Sequence, residues 1–132
     1  MKVVLDTNVF VSGIHWSGAS ERVLRAWMNN KFEVVSSLPI IEEIIRVLMG
    51  FKVPLEPEDI SWWESLILEK SMIVVPKEKI EIVTDPDDHK FVEAALEGKA
   101  QYIISQDKHL LVLREYRGVQ VLPPDDFLKI LN

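Results

Sequence analysis

Asp6, which follows an apolar run near the N-terminus, is the first residue of this chain that is well placed for chemistry. Val3–Leu5 is typical of a strand buried on both faces, as in a parallel sheet. Thr7 and Asn8 come next, so a carboxylate, a hydroxyl and an amide stand together where the strand ends. Ligands of open α/β sheets bind outside the carboxyl ends of the strands. We therefore expect Asp6 to be either a site residue or the cap of a turn or helix.

Asp107 repeats this pattern in the second half of the chain. It follows the predicted strand Tyr102–Ser105, so a hydroxyl and then a carboxylate again come at a strand end. Two strands that end at the same edge of a parallel sheet would bring Asp6 and Asp107 side by side. Taken alone, Asp107 is best explained as a helix N-cap, whereas together with Asp6 it favours a shared site.

Asp88 ends the acidic segment Asp85–Asp88, which precedes an apolar helical run. Capping and the helix dipole account for Asp85 and Asp87. The helical repeat places Asp88 on the same face as Phe91, Val92 and Ala95, and predicts that Lys90, Glu93 and Glu97 point away. An ionised carboxylate on a buried face is costly unless it is paired or binds a metal. Asp88 is therefore predicted to be a functional residue.

Glu42 and Glu43 lie at opposite edges of the apolar stripe of another predicted helix. Periodicity does not choose between them, and a solvated helix face would explain both. Glu42 has a structural role available in an ion pair with Arg46, four residues on. That leaves Glu43 as the freer carboxylate.

Clustered carboxylates predict a hard divalent cation, because like charges without a counterion destabilise a fold. Mg²⁺ and Mn²⁺ prefer oxygen ligands, and an ion held in this way commonly serves phosphate chemistry. Zinc is not indicated, since the chain has no cysteine and its three histidines are scattered. The chain also lacks a glycine-rich phosphate loop, a nucleophile elbow and the Asp-x-Asp of aspartate-nucleophile phosphatases.

Strand-like and helix-like runs alternate along the chain, which predicts βαβ units, a parallel sheet of about five strands and helices on both faces. The predicted strands are Lys2–Leu5, Phe32–Ser36, Met72–Val75, Tyr102–Ser105 and Val119–Leu122. The predicted helices are Ala19–Asn30, Leu38–Met49, Pro57–Lys70, Asp85–Leu96, Lys108–Glu115 and Asp125–Leu131. Residues 1–132 are expected to form a single α/β domain.

The composition predicts an intracellular, cytoplasmic protein with no membrane segment. The 132 residues include no cysteine, and no stretch is apolar enough to span a membrane. The formal charge of −6 does not favour a protein that binds nucleic acid by bulk positive charge. Trp62 and Trp63 are adjacent on an apolar helix and cannot share a face, so one of them is expected at a surface that forms a homodimer, binds a partner protein or stacks on RNA bases.

Four segments resemble the motifs of the PIN domain, in particular the small single-domain prokaryotic kind that is often the toxin of a toxin–antitoxin pair. They are Val4–Val9, Glu43–Leu48, Asp85–Phe91 and Ile103–Leu111, and the resemblance runs from Met1 to about Pro124. It implies a three-layer α/β/α sandwich and a Mg²⁺- or Mn²⁺-dependent endoribonuclease, with RNA as substrate and an antitoxin as a partner.

The resemblance also implies roles for particular residues. Its acidic positions match Asp6, Glu43, Asp88 and Asp107, so the family pattern selects Glu43 where periodicity did not. Its polar supporting positions match Thr7, Asn8 and Ser105.

The chain departs from the family pattern at Ser105-Gln106, His89 and His109, none of which is a core ligand. A non-catalytic PIN-fold interaction module is the alternative, although all four acidic residues are present.

Overall fold

The computed structural model describes residues 1–81 and 85–132. Within them, six strands form one sheet. The strands are β1 (Lys2–Leu5), β2 (Glu33–Ser36), β3 (Met72–Ile73), β4 (Tyr102–Ile104), β5 (Glu115–Tyr116) and β6 (Val119–Leu122). All five predicted strands are present, with β3 shorter than expected.

The sheet order is β3-β2-β1-β4-β6-β5, and every neighbouring pair is parallel except β5 with β6. The chain first builds outward from β1 through β2 to β3. It then returns to place β4 on the other side of β1. The strand order therefore reverses between β1 and β4, and open α/β sheets bind ligands in the crevice at such a point.

Helices connect the strands. They are α1 (Thr7–His15), α2 (Ala19–Met28), α3 (Leu38–Met49), α4 (Pro57–Lys70), α5 (His89–Gly98), α6 (Lys108–Leu111) and α7 (Pro124–Leu131). A short 3-10 turn, Pro86–Asp88, precedes α5.

Helix α1 was not predicted from the sequence. It starts directly after Asp6 and contains the β-branched Val9 and Val11 and the glycine Gly13, which are weak helix formers. Val9, Phe10 and Val11 are buried in the core, so tertiary packing stabilises a helix that local propensity does not favour.

The sheet is the middle layer of a three-layer α/β/α sandwich, as predicted. Val3, Val4 and Leu5 alternate between the two faces of β1, and all three are buried. Helix α5 packs on β1, β2 and β4, while α7 packs against α2 and places Phe127 in contact with Tyr102 on β4. Both faces of the central strands are therefore covered.

The prediction of a helix over Lys108–Glu115 was wrong beyond Leu111. The backbone takes a positive φ at Arg114 (59°) and again at Arg117 (49°), which ends the helix and turns the chain into the β5–β6 hairpin. The signal for the turn is Gly118, whose φ of 86° is available to glycine at little cost.

Helix α4 bears out the expectation that its two tryptophans diverge. The indole rings are edge-to-face with centroids 5.0 Å apart, and Trp62 is 55% exposed whereas Trp63 packs against the core. Among the described helices, none is both long and apolar enough to cross a membrane.

Candidate metal centre

An acidic cleft of about 180 Å³ lies at the carboxyl edge of the sheet, at the point where the strand order reverses. Asp6 follows β1, Asp107 follows β4, Glu43 comes from α3, and the turn before α5 supplies Asp88. The carboxylates that line it are Asp6, Glu43, Asp85, Asp87, Asp88 and Asp107. The four predicted acidic residues therefore share one cleft, and two that had been explained as caps join them.

Ser105 connects the two aspartates that end neighbouring strands. Leu5 of β1 and Ile104 of β4 are in register, so the residues that follow them stand side by side. The Ser105 hydroxyl donates to Asp6 Oδ2 at 2.6 Å and accepts from the backbone N–H of Asp107 at 2.9 Å. One hydroxyl therefore contacts both residues, which is the geometry that the predicted supporting role of Ser105 requires.

Asp6 is the N-cap residue of α1, but its carboxylate makes no capping hydrogen bond. Asp107, by contrast, caps α6 by accepting from His109 N–H at 2.9 Å. Asp107 has both of the roles weighed for it, because its Oδ1 is the cap and the residue still lines the cleft.

Thr7 and Lys90 hold Glu43. The Thr7 hydroxyl donates to Glu43 Oε2, and Lys90 Nζ donates to Glu43 Oε1 at 3.1 Å. Lys90 Nζ also donates to the backbone carbonyl of Asp87. Asn8 lines the cleft and is exposed to solvent.

Two predictions about charged residues were wrong here. Lys90 does not point away, because its long side chain reaches Glu43 of α3 and the backbone carbonyl of Asp87. The expectation that Glu43 is the freer of the two glutamates was also wrong, because Thr7 and Lys90 hold Glu43, whereas Glu42 forms no ion pair with Arg46 among the charged pairs of the described residues. An exposed pair of this kind contributes little, so nothing holds those two side chains together.

Asp88 is buried, as predicted, and its Oδ2 has no hydrogen-bond partner. The turn that presents it begins at Asp85, whose carboxylate accepts from Asp87 N–H at 3.0 Å, so the predicted N-cap is confirmed. A buried carboxylate oxygen without a donor is unusual and calls for a cation or a proton.

Burial and mutual repulsion shift the acidity of the cleft. Burial raises the pKa of Asp6 from 3.8 to about 6, opposed by the Ser105 hydrogen bond and assisted by repulsion from Asp107 and Glu43. The pKa of Asp88 rises to about 7. Burial is the main cause, and repulsion from Asp107 and Asp6 and a hydrogen bond with Asp107 contribute less. These carboxylates therefore favour protonation or a counterion near neutral pH.

A comparison with models of protein families shows to which family the chain belongs. Residues 2–109 match the model of the PIN domain. The chain belongs to the PIN-domain family. It is also 35% identical over 125 residues to an uncharacterized protein, MJ1680, of Methanocaldococcus jannaschii, an alignment that covers 87% of this chain and 76% of that protein.

Solved structures share the PIN fold of this chain at low sequence identity. PAE2754 from Pyrobaculum aerophilum superposes with a TM-score of 0.64 and 13% identity, over 99% of this chain and 89% of that one. VapBC-1 from nontypeable Haemophilus influenzae superposes with a TM-score of 0.61 and 19% identity, over 95% of this chain and 99% of that one. VapBC2 from Rickettsia felis, bound to a promoter DNA fragment, superposes with a TM-score of 0.60 and 14% identity, over 92% of this chain and 97% of that one.

The carboxylates that line the cleft of this PIN domain offer oxygen ligands, which Mg²⁺ and Mn²⁺ prefer. The unpartnered Oδ2 of Asp88 points to the same conclusion. Across residues 1–81 and 85–132, however, no three Asp, Glu or His side chains are arranged as they stand to hold a metal ion. Serine, threonine and lysine partners instead hold several of the carboxylates, so the donor set fits an ion but is not preassembled around one.

Proposed function

We propose that this PIN domain is a metal-dependent endoribonuclease that hydrolyses RNA phosphodiester bonds. The observation that carries the proposal is the acidic cleft at the reversal of strand order, which six carboxylates line and where a buried oxygen of Asp88 lacks a partner. Membership of the PIN family, whose members are typically nucleases, supports the same reaction class.

Asp6, Glu43, Asp88 and Asp107 would hold a Mg²⁺ or Mn²⁺ ion. Such an ion would supply activation of the attacking water and neutralise charge on the phosphate as the bond is cleaved.

The chain's own residues orient the reacting groups. Ser105 positions Asp6 and the backbone of Asp107, and Thr7 fixes the direction of Glu43. Glu43 then accepts a proton from the attacking water or contributes a ligand, since its carboxylate faces the cleft. Lys90 limits the repulsion between Glu43 and its neighbours.

We further propose that this endoribonuclease is a cytoplasmic toxin that forms a homodimer and is held inactive by an antitoxin protein. The similarity of its fold to the VapBC structures supports this proposal. Exposed Trp62 on α4 is our candidate for the homodimer surface. The gene immediately upstream provides a direct test, because a small antitoxin reading frame there is expected.

A non-catalytic protein-interaction module is the second candidate, and two observations favour it. The described carboxylates are not preassembled around an ion, and Lys90 already supplies Glu43 with a cation. Titration calorimetry with Mn²⁺ separates the two candidates, since a module of this kind would bind no Mn²⁺.

The proposed activity is tested with Asp6→Asn, which keeps the size of the side chain and removes its charge. We expect Mn²⁺-dependent cleavage of RNA by the wild-type protein and a loss of at least 100-fold in the variant, of the order seen when a charge-stabilising group is removed. Glu69→Gln, which removes an exposed carboxylate on α4, is the matched control and should cleave normally. Undiminished cleavage by Asp6→Asn would contradict the assignment.

A further inference from the structure

A second groove, of about 340 Å³, lies next to the acidic cleft. Its walls are the start of α3, residues 74–76 after β3, Lys79, and the first turns of α5 with Lys90 and Glu93. We call it the α3–α5 groove. Its volume falls within the roughly 300–1,000 Å³ of small-molecule sites.

Lys90 stands between the α3–α5 groove and the acidic cleft. Lys90 lines the groove, and its Nζ contacts Glu43 Oε1, which lies in the cleft, at 3.1 Å. Both features stand at the carboxyl edge of the sheet, since the groove follows the ends of β2 and β3. The groove and the cleft are therefore neighbours along the carboxyl edge of the sheet.

Ser37 shows that the groove has unmet hydrogen-bonding capacity. It lines the groove, is only 1% exposed, and its hydroxyl has no partner. Ser37 is also the N-cap residue of α3 but makes no side-chain capping bond. An unsatisfied hydroxyl at the positive end of a twelve-residue helix favours a ligand that carries negative charge.

The charges of the groove favour the same kind of ligand. Lys79 is exposed and forms no ion pair with any described residue. The two carboxylates of the groove are engaged elsewhere, because Glu93 accepts from Ile80 N–H at 2.9 Å and Glu78 pairs with Arg117. Lys79 and a helix N-terminus thus border a surface whose acidic groups are already paired, and Lys90 adds a positive charge that it shares with Glu43.

Apolar side chains complete the groove. Leu38 is exposed on α3, and Val75 is 80% exposed on the facing segment, so both present carbon surface to solvent. A ligand that combines a flat apolar body with a phosphate matches both parts of this lining.

We infer that the α3–α5 groove binds the nucleotide adjacent to the scissile phosphate. The base lies between Leu38 and Val75, its phosphate contacts Lys79 and Lys90, and Ser37 donates to a phosphate or sugar oxygen. This inference rests on the proposed ribonuclease function, because it takes RNA as the ligand of the neighbouring cleft.

Lys79→Ala and Ser37→Ala test the subsite, because neither residue touches the carboxylates of the cleft. Lys77→Ala is the matched control, since it removes an exposed positive charge from the same segment but does not line the groove. Binding of a short fluorescent single-stranded oligoribonucleotide is measured by anisotropy in EDTA, so that cleavage does not contribute.

Lys79→Ala is expected to reduce the slope of log affinity against log salt by about 0.7, which corresponds to one phosphate contact on a single strand. Ser37→Ala is expected to weaken binding about three- to tenfold, as for one lost hydrogen bond, without a loss of stability. In cleavage assays with Mn²⁺ both variants should raise KM and leave kcat unchanged.

The outcomes separate the subsite from the catalytic proposal. If the wild type cleaves RNA while Lys79→Ala and Ser37→Ala bind it as Lys77→Ala does, the subsite is wrong and the ribonuclease stands. If the groove variants weaken binding but no cleavage is found with Mn²⁺ or Mg²⁺, the catalytic proposal fails and the groove stands as an RNA-binding site without a scissile phosphate beside it. Absence of RNA binding by the wild type overturns the subsite.

Discussion

Removing the charge of Asp6 should stabilise the metal-free protein at neutral pH. Asp6 is buried between neighbouring strands, and its pKa in the folded state is about 6 against 3.8 for the free side chain. Between these two values the folded protein binds more protons than the unfolded chain. The free energy of unfolding therefore falls as pH rises through this window, and the contribution is lost above about pH 6.

The size of the effect follows from the shift. The rise in the pKa of Asp6 lowers the free energy of unfolding by about 3 kcal/mol above pH 6. An asparagine keeps an oxygen for the Ser105 hydroxyl, whereas its NH₂ group must be buried in place of the other carboxylate oxygen. Burying this amide donor costs about 1 kcal/mol, so Asp6→Asn should gain about 2 kcal/mol at pH 7.5.

Urea unfolding in EDTA at pH 7.5 and pH 4.5 measures this gain. The difference between Asp6→Asn and wild type should shrink toward zero at pH 4.5, where the wild-type carboxyl is mostly protonated. Exposed Glu69→Gln should stay within about 0.5 kcal/mol of wild type at both values. An asparagine variant that is less stable than wild type at pH 7.5, or equally shifted at both pH values, would refute the reasoning.

Three further predictions concern the cation site, the Ser105 hydrogen bond and the packing of α5 on β2. Saturating Mn²⁺, at about 100 times its dissociation constant, should raise wild-type stability by about 2.7 kcal/mol in calorimetric melting, and an indifferent Tm would contradict a shared cation site. Ser105→Ala should cost about 1–3 kcal/mol and raise the pKa of Asp6 further, which ¹³C NMR titration of the carboxyl would show; an unchanged titration would count against the hydrogen bond. Gly98→Ala should destabilise by about 1–3 kcal/mol because a Cβ there would stand 2.4 Å from Val35 Cγ1, whereas Gly50→Ala, whose nearest neighbour is 3.7 Å away, should stay close to wild type in the same urea assay.

Local sequence patterns predicted the strands, most helices and the burial of Asp88, because burial of apolar residues dominated there. The apolar runs and helical periods predicted the five parallel strands and most helices, because burial on both faces leaves a continuous apolar strand. Asp88 was identified as buried because it shares a face with Phe91 and Val92, and both are buried as expected.

Local patterns failed where packing overrode them. Helix α1 forms from weak helix formers that the core holds in place, and the predicted helix Lys108–Glu115 ends early because the β5–β6 hairpin follows. The contact of Lys90 with Glu43 could not be derived by projecting from Asp88, since it depends on how α5 packs against α3.

The sequence by itself determined which carboxylates end the strands and begin the helices of this PIN domain. Strand ends and helix starts are local features, so Asp6, Asp88 and Asp107 could be selected from neighbouring residues alone. Only the tertiary structure decided what each carboxylate meets, because Ser105, Thr7 and Lys90 reach partners that lie 99, 36 and 47 residues away in the sequence. Those long-range hydrogen bonds set which oxygens are satisfied, and they leave Asp88 Oδ2 as the buried one that is not.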